Sequence, residues 1–408
     1  MQNILNQIKS YSKYPKYKES GIEWLGEIPE GWEVIKYGYL FKSAMGETIL
    51  KENLIDEGKI PVYSATEENL NFGYVDSANV ILNSGDLVIP ARGNSIGNVK
   101  LVDKISTTTQ TTIYSKPISH NKFDIRFIVY LLNGLKDIYF FFDRTAIPQI
   151  TVNQVRNNLI VLPILEEQQS IADFLDRETG RIDRLIEKKQ KLVELLYEKR
   201  TALISNAVTK GIGPNAKMKD SGVEWLGEIP EGWEVKRLKY ATSFKYGESL
   251  TEEDRDNEGN IDIYGSNGIV GTHNKSVTNG ETIIIGRKGS YGQINWSQKS
   301  CFPIDTTFFI DKSTTDNNLR WIYYLLQTLK LDESNQDSAV PGLNREIAYN
   351  WFIPLPNNSD QQLITNFLDR RTAKTDNLIQ KIQSQISKLK EYRTALISEA
   401  VTGKIKIN

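Results

Sequence analysis

The chain has 408 residues, with 50 Lys and Arg against 51 Asp and Glu for a formal net charge of −1, and 39% of it is hydrophobic. These values describe a soluble chain with room for several full cores and exclude a protein that is basic throughout, while a local basic face remains compatible with nucleic acid. No apolar run reaches the length of a membrane span, residues 1–16 lack the apolar core of a signal peptide, and a single cysteine, Cys301, excludes an internal disulfide and fits a cytoplasmic protein.

In chain order, residues 1–16 read as a short helical segment. Next comes SGIEWLGEIPEGWEV, Ser20 to Val34, which returns as Ser221 to Val235 with Val223 replacing Ile22 as its only change. Its Trp24 and Trp32, and Trp225 and Trp233 in the second copy, flank an Ile-Pro-Glu-Gly turn, a pattern that suits capping a small core. Residues 17–163 read as a mixed α/β domain. The segment NVILNSGDLVIPA (Asn79 to Ala91) has strand character, and a helix-like stretch starts at Phe127.

Residues 164–210 carry apolar side chains at three- and four-residue spacing, from Ile171, Phe174 and Leu175 through Ile182, Leu192 and Leu196 to Leu203 and Ile204. No proline interrupts them, and Gly211 stands where a C-cap belongs. Residues 211–216 form a short linker. Residues 217–356 read as a second mixed domain, with a strand in ETIIIGRKG (Glu281 to Gly289) and a helix from Leu319. Residues 357–408 hold a second long helix and the C-terminus, with Gly403 as cap. QQSIADFLDR, from Gln168, returns as QQLITNFLDR, from Gln361. The fold expected is α+β: two similar mixed α/β domains separated by two long helices, as an internal pseudo-twofold repeat. Each helix would be a rod of about 60–65 Å, and its single apolar stripe pairs most simply with the other helix, antiparallel.

Signals for catalysis are nearly absent. The two histidines, His120 and His273, have no ligand partners at metal-binding spacing. Gly58-Lys59 and Gly403-Lys404 are each followed by Ile, so neither is a phosphate-binding P-loop. Asp183, Glu187 and Lys188 superficially match a nuclease carboxylate–lysine set, but they lie on the long helix, where such spacing is ordinary for a solvated face.

A chain that repeats its scaffold and varies what the scaffold carries suits a protein binding two different things at a fixed separation. Aligning ARGNSIGNV with GRKGSYGQI makes Arg92 and Arg287 shared residues. Shared residues cannot supply a difference in target, so these two suit phosphate contacts or the fold. Base readout belongs where the copies disagree: Ser64 to Thr66 against Ser266 and Asn267, and Arg144 with Gln149 to Asn153 against Asn344 and Arg345. Lys42, Lys245 and Lys288 complete the candidate DNA-binding set. Two functions stay open on the residues alone, a DNA reader and a two-headed scaffold for protein or glycan. The slope of affinity against salt separates them.

The order of Glu23–Trp32, Pro163–Asp176 and Arg200–Thr209, repeated as Glu224–Trp233, Pro356–Asp369 and Arg393–Thr402, resembles the DNA-specificity subunit of type I restriction–modification systems across essentially the whole chain. The resemblance implies two target-recognition domains, each reading one half of a split, asymmetric site on double-stranded DNA. It implies that the helices form an antiparallel coiled coil fixing the gap. It further implies a chain that is not an enzyme and binds no cofactor, joined by two methyltransferase subunits and, in the full complex, two restriction subunits. S-adenosylmethionine, ATP and Mg²⁺ would be used by those partners.

Overall fold

The computed structural model describes residues 11–66, 72–119, 121–140, 148–253, 255–256, 258–332 and 342–407. It divides into two compact units, Met1–Gln190 with Gln383–Asn408, and Lys191–Ile382. Of the N-terminal segment expected to be helical, residues 1–10 lie outside the described residues, and residues 11–16 form no helix.

Unit 1 runs through β1 (Tyr17–Glu19), β2 (Glu27–Pro29), β3 (Glu33–Lys36), β4 (Phe41–Met45), β5 (Ile60–Tyr63), β6 (Gly73–Val75), β7 (Leu87–Pro90), β8 (Lys100–Leu101), β9 (Thr107–Thr108), β10 (Thr112–Pro117), α1 (Ile125–Gly134), α2 (Lys136–Tyr139), α3 (Val152–Asn157), β11 (Leu159–Leu162) and the start of α4 (Leu165–Lys210). Its main sheet has the order β4-β10-β7-β8, a second sheet the order β6-β5-β9, and β1-β2 and β3-β11 form separate pairs. Strand alternation explains how β7 serves two cores. Leu87 and Ile89 enter the main core, and Val88, on the other face, joins Tyr63, Leu82 and Val102. Helix α1 is capped by Asp124, which accepts from the Arg126 amide, and buries Phe127, Ile128, Leu131 and Leu132 along one stripe.

Unit 2 repeats this plan with β12 (Met218–Asp220), β13 (Glu228–Pro230), β14 (Glu234–Arg237), β15 (Lys245–Tyr246), β16 (Ile261–Gly265), β17 (Gly268–His273), β18 (Thr282–Gly286), β19 (Ile294–Ser297), β20 (Phe302–Pro303), β21 (Thr307–Asp311), α5 (Leu319–Leu326), α6 (Arg345–Tyr349), β22 (Phe352–Leu355) and the start of α7 (Asn358–Val401). The main sheet is β15-β21-β18-β19 and the second β17-β16-β20, with pairs β12-β13 and β14-β22. Each strand therefore has a counterpart in unit 1.

The two long helices pack together, as the apolar stripes predict. In unit 1, Ile171, Leu175 and Ile182 of α4 share a core with Leu396, Ile397 and Val401 of α7. Arg393 lies 2.9 Å from Asp183, and Lys189 donates to Gln385 at 2.7 Å. The lower number on one helix meets the higher on the other, so the pair is antiparallel. In unit 2, Ile204 and Val208 share a core with Ile364 and Leu368, and Arg200 reaches Asp376 at 2.9 Å. The stripe is not covered throughout: Leu192, expected to be buried, is 44% exposed. Both caps are left-handed glycines, Gly211 at φ 75° and Gly403 at φ 70°. No helix among the described residues is long and apolar enough to cross a membrane.

Candidate nucleic-acid interface

A cleft of about 390 Å³ opens on unit 2 between the ends of β15, β18 and β21 and the loop entering α6. It gathers four of the residues singled out from the sequence: Arg287, Lys288, Asn344 and Arg345. Its centre is Tyr246, half-exposed at the end of β15. The Arg287 guanidinium lies 5.3 Å from the Tyr246 ring centre and that of Arg345 5.2 Å from it, so one ring carries two cations. Arg287 is held further by donating from Nε and Nη2 to the Asp305 carbonyl at 3.1 and 2.7 Å. Arg345 also contacts the ring of Tyr349, whose hydroxyl accepts from the Phe244 amide. Asn344 caps α6 through its side-chain oxygen. Lys288 is exposed and bridges Gly342, while Lys245, beside Tyr246, donates to Ser313.

Backbone hydrogen bonds locate the matching positions in unit 1. The Ala91 amide bonds the Thr111 carbonyl and the Ala91 carbonyl accepts from Ile150; Arg287 does the same with Thr306 and Leu343. Arg92 bridges Gln149 as Lys288 bridges Gly342, and Gly93 and Gly289 follow with φ 75° and 70°. The counterpart of Arg92 is therefore Lys288, and that of Arg287 is Ala91. The alignment that paired the two arginines is off by one residue there, because unit 1 spends an extra residue between its left-handed glycine and Ile96. By the same register Met45 answers Tyr246, since Gly46 and Gly247 bond Thr112 and Thr307, and Val152, next to the Thr151 cap, answers Arg345. The cation–aromatic cluster of unit 2 is thus Met, Ala and Val in unit 1.

The remaining sequence candidates are scattered. Asn153 is exposed on α3, and Asn267 is exposed between β16 and β17. Lys42 faces Lys116 across β4 and β10, at a position answering Ser243 rather than Lys245. Ser64 and Ser266 are buried: the first bonds Thr109 and Thr111, and the second donates to the Thr306 carbonyl. Their hydroxyls support the fold rather than face a ligand. Thr66 accepts from Lys100, a buried lysine that also donates to the Ser64 carbonyl and that burial pulls below the usual lysine range. Arg144 lies outside the described residues. Asp183, once set beside Glu187 and Lys188 as a nuclease-like group, is paired with Arg393.

Sequence reasoning missed a joint that each unit builds between its short helix and its long one. In unit 1, Arg126 reaches Asp173 and Asp176 at 2.7 and 2.8 Å, and Tyr130 donates to Asp176 at 2.8 Å. In unit 2, Arg320 and Tyr324 converge on Asp369 at 2.9 and 2.6 Å. Burial pushes both phenols up to about 12, with the carboxylate adding to the effect, so each tyrosine keeps its proton and donates. Gln168 accepts from the Asp124 amide and donates to the Pro163 carbonyl; Gln361 repeats this with Asn318 and Pro356. The signal was available in the sequence: Arg and Tyr four apart on each short helix, with Asp-x-x-Thr following Phe-Leu on each long one.

The EWLGEIPEGWEV block also has a structural task. In unit 1, Gly403 packs against Pro29 and Trp32, and Lys404 donates to the Leu25 and Glu27 carbonyls. In unit 2, Gly211 packs against Trp233 and Pro230. Each block receives the C-terminal end of a long helix.

Residues 29–195 and 230–388 match the family model described as the type I restriction modification DNA specificity domain. The chain is 25% identical to the putative type I restriction enzyme MjaX specificity subunit of Methanocaldococcus jannaschii, over 96% of this chain and 98% of that protein. It is 26% identical to the MjaVIII specificity subunit of the same organism, over 96% and 97%. Among solved structures it resembles a chain from a study of complex assembly and conformational transition of the type I R-M system. That likeness has a TM-score of 0.69 at 17% identity, covers 92% of this chain and 98% of the other, and shows the shared fold. The repeated strand order, the paired helices and the family match over most of the chain lead to one conclusion: the chain belongs to the type I restriction–modification DNA specificity family, as a non-catalytic specificity subunit with two target-recognition domains.

Proposed function

We propose that each target-recognition domain reads one half of a split, asymmetric site on double-stranded DNA, and that the paired helices set the gap between the halves. One observation carries this reading. The two domains share strand order and hydrogen-bond register around the cleft, yet at matched positions one carries Tyr246, Arg287 and Arg345 and the other Met45, Ala91 and Val152. A common frame with divergent side chains suits two readers of different sequences. The positions that stay basic in both, Arg92 and Lys288, suit the phosphate backbone, which is the same in every sequence.

The helices serve a second role in this reading, as the dock for two methyltransferase subunits and, in the complete cytoplasmic complex, two restriction subunits. Leu192, Leu195 and Tyr197, each between 44% and 50% exposed on α4, give a partner apolar surface to cover. S-adenosylmethionine, ATP and Mg²⁺ belong on those partners. Domain exchange tests the proposal. Replacing residues 17–163 with the equivalent domain of a homologue should change one half of the methylated motif and leave the other unaltered. A change in both halves refutes separable readers.

A further inference from the structure

We infer that Arg345 is a specificity-determining residue of unit 2, and that it reads a guanine in the major groove of that unit's half-site. The inference rests on the DNA-reading function proposed above.

The surroundings of Arg345 are fixed before any ligand arrives. Its guanidinium lies 5.2 Å from the Tyr246 ring centre and 5.7 Å from that of Tyr349. Tyr349 is pinned through its hydroxyl, which accepts from the Phe244 amide at 2.7 Å. Tyr246 packs edge-on against Phe308 at 4.9 Å and carries Arg287 as well. Arg287 in turn spends Nε and Nη2 on the Asp305 carbonyl. It is therefore a positioning residue that helps hold Tyr246, the fold role among the two roles its sequence context left open.

Arg345 differs in its donors. Among the described residues no carbonyl or hydroxyl accepts from it, and its charged partner is the exposed Glu346 carboxylate, 3.7 Å from Nε. It is thus an arginine set against two aromatic rings, its Nε enclosed beside Glu346 and the fork of its Nη1 and Nη2 donors uncommitted, at the edge of an open cleft. Such a fork matches a pair of acceptors, and two such pairs exist on DNA: phosphate oxygens, and O6 with N7 of guanine. The matched position in unit 1 decides between them. A phosphate contact is useful to both units, and Arg92 and Lys288 keep it basic in both. Position 345 is answered by Val152, which cannot donate, so its chemistry follows the sequence being read. A held fork also loses little conformational freedom on binding.

The test uses the full chain with its methyltransferase partner. Native, Arg345→Ala and Arg345→Lys proteins are compared by mapping methylated sites and by measuring affinity across a salt series. Both variants should relax discrimination at one guanine by roughly ten- to hundredfold. Lys keeps the charge and loses the fork, so it should not rescue. The half-site read by unit 1 should be unchanged, which also controls for folding, and the salt slope should stay the same. An unaltered motif in Arg345→Ala overturns the inference. So does weaker binding to all sequences with a slope reduced by about one unit, which would make Arg345 a phosphate contact. A native complex with no sequence preference would instead overturn the proposed function, and this assignment with it.

Discussion

Replacing Asp369 with Ala should loosen the joint between the second target-recognition domain and its long helix. The carboxylate takes two hydrogen bonds, from Arg320 Nε at 2.9 Å and from the Tyr324 hydroxyl at 2.6 Å. The Arg320 pair is partly exposed, with side chains 29% and 43% accessible, so solvent screening holds its worth to about 1 kcal/mol or less. The Tyr324 bond counts for more. That side chain is fully buried, and a hydrogen bond to a charged acceptor contributes about 1.5–3 kcal/mol. Thr372, 3.2 Å from the same hydroxyl, can take over part of it. The net loss should be about 2 kcal/mol, or roughly 4–8 °C in the unfolding temperature of a unit this size. Asp376→Ala is the control. It removes only the pair with Arg200, whose side chains are 21% and 51% exposed, and should cost under about 1 kcal/mol. Calorimetry of the native chain and both variants reads the difference. If Asp369→Ala moves the transition by less than about 1 °C, or Asp376→Ala costs as much, the joint does not hold the domain.

Two further outcomes follow from the geometry. Gly403→Ala forces a side chain into φ 70° and brings its Cβ within 2.4 Å of Pro29, so it should cost roughly 2 kcal/mol or more; Gly26→Ala, at φ 66° with open space around it, should cost about 1 kcal/mol, and equal losses in calorimetry would refute the packing role of Gly403. Arg92→Ala and Lys288→Ala should each weaken binding to all sequences alike and lower the salt slope by about one unit; a shift in preferred bases at constant slope would move them among the base readers.

The repeat, the paired helices and their glycine caps were legible because each is written in local pattern: identity, three- and four-residue spacing, and a residue type tied to left-handed backbone. The register beside Arg92 was not. Side-chain identity set Arg92 against Arg287, whereas backbone hydrogen bonds to Thr111 and Thr306 set Ala91 against Arg287. The joint at Asp176 and Asp369, though marked by a repeated pattern, was easy to overlook for a related reason. Its partners lie far along the chain, and an aspartate on a charged helix face looks solvated until its acceptors are seen to be filled. Burial misled at Ser64 and Ser266, whose residue type suits a reader but whose hydroxyls are engaged inside the domain.

The most direct measurement is base-resolution mapping of methylation in cells that carry this chain with its methyltransferase. It should be made for the native protein and for a variant with four residues inserted in both helices, near Lys189 and near Ile382. The native map should show one asymmetric site of two specified parts separated by an unspecified gap of constant length. The inserted turn lengthens each helix by about 6 Å. At roughly 3.4 Å per base pair the gap should grow by one or two base pairs, with both specified parts unchanged. A continuous motif in the native map, or an unaltered gap in an active insertion variant, would contradict two readers held apart by a helical ruler.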